Sequence, residues 1–237
     1  MSFLILVRHG QSIWNLEKKF TGWVDVDLTE QGRIEAEKAG NLIKSQNIKI
    51  EHYYSSFQLR ANHTMEIIKK ILNENNNFVK AWQLNERHYG TLTGLNKIEM
   101  TKKIGEDKVY ELRRSWDKRP DPLSKDSPYH PQNIETYKKI PKEVIPDTES
   151  LKDTYDRVLK YFKEEVQHEL LKKNILITAH GNSIRALCKY LFQLDNEQIS
   201  KLEIPTGNPL IIQFDEKLNI INSKYLDKER AKSLLVY

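Results

Sequence analysis

Near its start the chain reads LILVRHGQSIWN, from Leu4 to Asn15. The first four residues are apolar, and an unbroken apolar run is typical of a strand buried on both faces inside a parallel sheet. The run ends at Arg8 and His9. Because ligands of open α/β sheets bind beyond the carboxyl ends of the strands, both side chains are predicted to face a ligand site. Gly10 then allows a sharp turn and a close approach of the ligand.

The residue types at this strand end suit phosphoryl transfer. An imidazole can carry a phosphoryl group covalently, and a guanidinium offers paired donors that match phosphate oxygens. His9 is therefore a candidate nucleophile and Arg8 a candidate anion ligand, with Ser12 and Asn15 as neutral donors. Short motifs also recur by chance, and an isolated histidine is more often structural. The tripeptide Arg-His-Gly by itself leaves both interpretations open.

A second buried strand is predicted at residues 175–179, and it also ends in a histidine, His180. If the two strands are neighbours in a parallel sheet, His9 and His180 meet at one edge. One imidazole can then act as the nucleophile while the other helps to hold the transferring group. A helix is predicted to begin after His180, and the free N–H groups at its start are suited to bind an anion.

Strand and helix patterns alternate along much of the chain. Strands are predicted at 50–55, 78–82 and 210–214, and helices at 30–45, at 59–72 and from Ser150 to about 170. Arg60, in the first turn of one helix just past a strand end, is predicted to face the same crevice. This alternation predicts an α/β fold with a mostly parallel sheet flanked by helices.

The segment from about 83 to 146 shows no long period. Its six prolines between Pro120 and Pro146 argue against long regular elements, and it is interpreted as an insertion that covers the active site. Within it, Glu86 is a candidate acid–base group for a substrate hydroxyl, with a surface ion pair as an equally good interpretation. Arg113 and Arg114 also allow two interpretations: the pair binds a carboxylate or phosphate, or it lies on a solvated face.

Composition limits the class of protein. The 237 residues suit a single domain, 1–237, with a charged and mobile tail from about 227. No apolar run approaches the roughly 20 residues of a membrane span. The one cysteine, Cys188, excludes an intramolecular disulfide and fits a small core residue, so a cytoplasmic location is expected.

Charge favours anionic partners. The net charge is +5, which leaves nucleic acids and phosphorylated metabolites open. Because the 38 basic residues are dispersed among 33 acidic ones, a nucleic-acid-binding module is the weaker alternative. The sequence contains no Walker loop, no His-Glu-x-x-His and no acidic ligand cluster, so no metal is predicted.

Five blocks of the sequence resemble the cofactor-dependent phosphoglycerate mutases of the histidine phosphatase superfamily. They occur in that family's order, and the likeness extends from about residue 3 to 226. The blocks are Leu6–Ser12, Phe20–Trp23, Leu84–Gly90, Gly94–Lys97 and Ala179–Ser183. The resemblance implies a three-layer sandwich, small phosphorylated substrates rather than nucleic acid or membrane, and a homodimer or homotetramer.

The resemblance also implies a reaction. It is the interconversion of 3-phosphoglycerate and 2-phosphoglycerate in glycolysis and gluconeogenesis, through a phosphorylated His9, primed by 2,3-bisphosphoglycerate and without a metal. Glu86 would donate and accept the proton. Groups implied to hold the transferring phosphoryl group are Arg8, Arg60, His180, Asn15 and the backbone of Gly181 and Asn182. Residues implied to hold the rest of the substrate are Ser12, Thr21, Gly22, Tyr89, Lys97, Arg113, Arg114 and Asn182.

Two departures from the family pattern bear on this expectation. Lys19 stands where the family usually has arginine, and the tail is shorter than in many members. Because a closed site excludes water, a short tail leaves a bisphosphoglycerate synthase or phosphatase as the alternative on the same scaffold. His9 must be deprotonated to attack, so activity is predicted to fall below about neutral pH.

Overall fold

One six-stranded sheet runs through the middle of the computed structural model, which describes residues 1–231. The strands are β1 (Ser2–Arg8), β2 (His52–Ser55), β3 (Val79–Lys80), β4 (Ile175–Ala179), β5 (Leu210–Phe214) and β6 (Ile220–Tyr225). Their order is β3-β2-β4-β1-β5-β6. The first four strands of that order run parallel, whereas β5 is antiparallel to β1, and β6 is antiparallel to β5.

Helices cover both faces of this sheet. They are α1 (Ile13–Leu16), α2 (Glu30–Lys44), α3 (Leu59–Leu72), α4 (Lys97–Ile104), α5 (Glu106–Arg114), α6 (Leu151–Tyr161), α7 (Gln167–Leu170), α8 (Gly181–Leu191) and α9 (Asn196–Lys201). A π-helical turn at Phe162–Val166 joins α6 to α7. None of the helices within residues 1–231 combines the length and hydrophobicity that a membrane span requires.

The apolar run of β1 explains the three layers. Successive side chains of a strand point to opposite faces of the sheet. Leu4 and Leu6 therefore enter the core beneath α6 and α8, whereas Ile5 and Val7 enter the core beneath α2 and α3. Both faces of β1 are buried, as its unbroken apolar sequence predicted, and the predicted α/β sandwich is confirmed.

Helix starts follow the sequence signals closely. The Thr29 hydroxyl caps α2 by accepting a hydrogen bond from the Gly32 N–H at 3.0 Å, and Ser150 caps α6. The apolar face predicted for 59–72 forms α3 with the same bounds. Cys188 is buried in the core as predicted, and burial raises the pKa of its thiol to about 12.

The segment 83–146, in which the sequence shows no long period, contains regular structure in its first part. Helices α4 and α5 lie there, but α4 buries no residue and α5 buries only Val109, so neither shows a strong apolar period. Between Pro120 and Pro146 only short 3₁₀ turns occur among the described residues, as the prolines suggested. The tail was predicted to begin at about residue 227. Most of it, residues 232–237, lies outside the described residues.

Candidate active site

The pairing of β1 with β4 brings two histidines together. In the parallel register Arg8 lies opposite Ala179, and the His9 N–H donates to the Ala179 carbonyl at 3.0 Å. The rings of His9 and His180, which follow these strands, lie 5.0 Å apart between centroids. The predicted meeting of the two imidazoles at one sheet edge is therefore confirmed.

The environment of His9 fixes its reactive form. Its Nδ1 lies 2.7 Å from the Gly10 carbonyl, so Nδ1 carries the proton and donates there. The Nε2 lone pair is then available for attack. Burial, followed by the charges of Arg60 and Arg8, lowers the pKa of His9 well below 6.5, which keeps the ring neutral at physiological pH.

A cleft opens beside His9. Residues predicted for the site that line it are Arg8, His9, Asn15, Thr21, Gly22, Arg60, Glu86, Tyr89, Lys97, Arg113, Arg114, Gly181 and Asn182. Ser12 lies behind the cleft wall, fully buried, where its hydroxyl caps α1. His180 is also fully buried, and it reaches the site through its contact with His9. Lys19 pairs with Glu17 at 2.7 Å and lies outside the lining of the cleft.

The two predicted phosphate arginines are held by backbone carbonyls. Arg60 is buried and donates to the carbonyls of Val24 and Gly22, each at 2.9 Å, which fixes the loop beside the site. Arg8 donates through Nη1 to the Ile204 carbonyl at 2.7 Å. Its buried Nε has no partner among the described residues. Since a buried donor without a partner is costly, this N–H is suited to donate a hydrogen bond to an anionic ligand.

The structure resolves the alternatives for Glu86. The residue is 8% exposed and lines the cleft, so the surface ion pair is excluded. Its Oε1 accepts the backbone N–H groups of Arg87 at 2.8 Å and Asn182 at 3.2 Å. Oε2 accepts no hydrogen bond from the described residues, and a Cβ at Gly181 would lie 3.8 Å from it. Glu86 thus has one oxygen fixed and one available for a substrate hydroxyl.

A buried ion pair positions the Glu86 loop. Arg157 binds both carboxylate oxygens of Glu149, at 2.7 and 2.9 Å. The same guanidinium donates to the Asn85 and Glu86 carbonyls, each at 3.0 Å. These bonds hold the loop on α6. The Tyr89 hydroxyl, in the same loop, accepts a hydrogen bond from the Asn182 side-chain amide at 3.0 Å.

Residues that sequence reasoning missed also contribute to the site. Arg185 and Glu203 line the cleft. The Ser56 hydroxyl lies 2.7 Å from His180 Nε2 and so orients that ring. Ser56 directly follows the strand predicted at 50–55, and this position was the available signal. Nothing in the local sequence indicates its contact with His180, which is more than a hundred positions away.

Charge dominates this cleft. Cationic side chains that line it are Arg8, Arg60, Lys97, Arg113, Arg114 and Arg185. Burial, then the charge of Arg113, lowers the pKa of Lys97 from 10.5 to about 8. Among residues 1–231 no group of three His, Cys, Asp or Glu side chains is arranged to hold a metal ion. The geometry brings together an imidazole with a free Nε2, a buried carboxylate and a dense set of cationic side chains.

Comparison with known families agrees with this geometry. The family model of the histidine phosphatase superfamily (branch 1) matches residues 4–129 and 123–225, and the chain belongs to this superfamily. Within it, the chain is a member of the 2,3-bisphosphoglycerate-dependent phosphoglycerate mutase family. A protein of that name from Pelagibacter ubique (strain HTCC1062) is 66% identical over 238 residues, which is 100% of both chains. Another, from Hydrogenobaculum sp. (strain Y04AAS1), is 46% identical and covers 99% of this chain and 96% of its own.

Solved structures of lower identity share the fold. YhfR of Bacillus stearothermophilus has a TM-score of 0.69 at 21% identity, over 93% of this chain and 94% of its own. A mycobacterial glucosyl-3-phosphoglycerate phosphatase, in complex with VO3, has a TM-score of 0.67 at 19% identity, over 95% and 97%. These two likenesses concern architecture alone.

Proposed function

We propose that this protein interconverts 3-phosphoglycerate and 2-phosphoglycerate through a phosphohistidine at His9. The observation that carries the proposal is the neutral, buried His9 ring, whose Nδ1 is bound to the Gly10 carbonyl and whose Nε2 is free. The centroid of this ring lies 5.0 Å from that of His180. The full-length relatives named 2,3-bisphosphoglycerate-dependent phosphoglycerate mutase support the same reaction and not the synthase or phosphatase alternative.

The cleft fits the cofactor in those names. Bound 2,3-bisphosphoglycerate supplies the phosphoryl group that loads His9. Such a polyanion needs donors, and the buried Arg8 Nε and Arg114 Nη1 have no partner within the described part of the chain. Guanidinium groups match phosphate and carboxylate oxygens. The residues present can therefore hold this ligand without a metal.

His9 and Glu86 perform the transfer. When the substrate hydroxyl attacks the phosphorus on phosphorylated His9, an O–P bond forms and the N–P bond breaks, which restores the Nε2 lone pair. Glu86 takes the hydroxyl proton as the bond forms. In the reverse direction Nε2 attacks a phosphate ester, and Glu86 returns the proton to the leaving oxygen. The two half-reactions exchange a phosphoryl group between two hydroxyl positions of one glycerate.

The remaining cations stabilise charge and position. Arg8, Arg60 and His180 surround the transferring phosphoryl group, where charge develops on its equatorial oxygens. Arg113, Arg114 and Lys97 line the other part of the cleft, where they can bind the non-reacting end of the substrate. Holding both ends of a small dianion aligns the hydroxyl with the phosphorus.

The test is turnover of 3-phosphoglycerate with catalytic 2,3-bisphosphoglycerate and excess chelator. We expect 2-phosphoglycerate as the main product, with free phosphate as a minor one, and no loss of rate on chelation. Free phosphate or accumulated bisphosphoglycerate as the main product would favour the synthase or phosphatase instead. A rate that disappears with chelator and returns with a divalent metal would contradict the proposal.

The pKa shifts predict a bell-shaped pH profile for the second-order rate constant with which 2,3-bisphosphoglycerate phosphorylates His9. His9 must be neutral, and because its pKa lies well below 6.5, the acid limb is expected below that value, more acidic than the sequence suggested. Lys97 loses its charge above about pH 8, so substrate capture should weaken there. Lys97→Arg keeps the charge at higher pH and should move the alkaline limb upward. An alkaline limb that is unchanged in this variant would exclude Lys97 as its cause.

We also infer the wider setting. The described residues, 1–231, form one domain, and its segment 83–146 contributes Glu86, Tyr89, Lys97 and the arginine pair to the cleft. A cytoplasmic location is supported by the lone buried Cys188. A homodimer or homotetramer follows from the family resemblance, and light scattering of the purified protein tests it.

A further inference from the structure

A carboxylate stands in the anion site without a role in the reaction above. Of the cleft residues that the structure describes, the acidic ones are Glu86 and Glu203. Glu86 handles the proton. Glu203 belongs to none of the sequence blocks that define the site, yet it lies among cations that are placed to bind an anionic substrate.

Glu203 forms an ion pair with Arg114, the arginine that is placed to bind the non-reacting end of the substrate. Its Oε1 accepts a short hydrogen bond from Arg114 Nη2, and its Oε2 lies 3.7 Å from Arg185 Nη2. Arg114 Nη1 is buried and has no partner among the described residues. One terminal nitrogen of Arg114, Nη2, therefore donates to an internal carboxylate, while the other, Nη1, is open to a ligand.

The backbone on either side of Glu203 is fixed. The Leu202 carbonyl accepts from Arg185 Nε at 2.7 Å, and the Ile204 carbonyl accepts from Arg8 Nη1 at 2.7 Å. The Glu203 side chain itself is 49% exposed, against 11% for Arg114. The carboxylate can therefore rotate into water without moving the chain, whereas Arg114 remains in the cleft wall.

We propose that Glu203 is a specificity-determining residue that competes with the ligand for Arg114. Its carboxylate is paired with the Arg114 guanidinium in the free protein, and it leaves when the non-reacting anionic end of the substrate binds. This inference rests on the proposed function. A ligand that must displace an internal partner binds with an apparent affinity lowered by the fraction of protein in the open form. The displaced carboxylate stays near the cleft and repels the ligand, and this repulsion grows with ligand charge. The total penalty therefore falls more on 2,3-bisphosphoglycerate than on 3-phosphoglycerate.

The opposite role predicts the opposite sign. If Glu203 only braced Arg114 in a productive position, its removal would loosen that side chain and weaken binding. If it competes, its removal should strengthen binding. Glu203→Gln keeps the size of the side chain and the backbone bonds of residues 202 and 204, so the fold is expected to be retained.

The experiment measures the dissociation constants of 3-phosphoglycerate and 2,3-bisphosphoglycerate by calorimetry. For Glu203→Gln we expect binding of 3-phosphoglycerate to tighten about three- to fivefold, the range of a partly exposed ion pair, and binding of the bisphosphate to tighten more. Glu197→Gln is the matched control, because it removes the same charge from an ion pair with Lys201 that does not line the cleft. Its constants should equal those of the wild type.

Further arms separate the possible failures. In an Arg114→Gln background the gain from Glu203→Gln should shrink, since the contested guanidinium is gone. Unchanged or weaker binding by Glu203→Gln, or an equal gain with Glu197→Gln, would overturn the inference.

If the wild type does not bind 3-phosphoglycerate, the proposed function fails. Pyrophosphate as the probe then tests competition at Arg114 alone, and tighter pyrophosphate binding by Glu203→Gln but not Glu197→Gln supports it, whereas any other result overturns it.

Discussion

Replacing His9 with alanine is expected to abolish the phosphoenzyme and to lower kcat by about four orders of magnitude or more. The variant lacks the atom that forms the N–P bond, and the neighbouring cations cannot replace it. The His180 ring lies 5.0 Å away between centroids, but it is fully buried behind the lining of the cleft, and its Nε2 is bound by Ser56. The measurement is intact mass after incubation with 2,3-bisphosphoglycerate, together with turnover of 3-phosphoglycerate.

The control for this prediction is His168→Ala. His168 is 60% exposed and lies on α7, outside the lining of the cleft. This variant should gain one phosphoryl group and turn over like the wild type. A phosphoryl group found on the His9→Ala protein would show that the nucleophile has been assigned to the wrong residue. Circular dichroism confirms that both variants are folded.

The sequence predicted the centre of the fold well because burial leaves a strong local pattern. β1 and β4 are covered on both faces, so they read as unbroken apolar runs, and α3 shows one continuous apolar stripe. β6 was missed because it is an edge strand with Ile221 half exposed, which weakens any alternation. Helices α4 and α5 were missed for the same reason, since they pack few residues against the core.

Most of the residues predicted for the site belong to strand ends or to the family blocks. Arg8 ends β1, and His9 and His180 directly follow β1 and β4. The sequence predicted both strand ends, and it predicted that the histidines meet on the condition that the strands are neighbours, which the structure shows them to be. Glu203 could not be found in this way, because its importance comes from Arg114, which is far away in the chain and reaches it only in three dimensions. Arg185, one turn into α8, reads from the sequence as an ordinary helix cation.

Replacing Glu86 with glutamine is expected to lower kcat by about 10²- to 10⁴-fold, the usual contribution of a positioned acid–base group. Glutamine keeps an Oε1 that can accept the backbone N–H groups of Arg87 and Asn182, so the loop should stay in place. Its amide nitrogen then replaces Oε2, and an amide cannot take the proton of the attacking hydroxyl. Loading of His9 from 2,3-bisphosphoglycerate should slow as well, since the leaving oxygen also needs a proton.

Binding separates this chemical role from a structural one. Removing a negative charge from a cleft that binds anions should leave the dissociation constant of 2,3-bisphosphoglycerate unchanged or lower it. A large loss of kcat without a rise in that constant therefore identifies proton transfer, and single-turnover phosphorylation of His9 shows it directly. If turnover is unchanged, Glu86 does not carry the proton. If the dissociation constant rises in proportion to the lost rate, Glu86 acts only by holding Asn182 and the start of α8 in position.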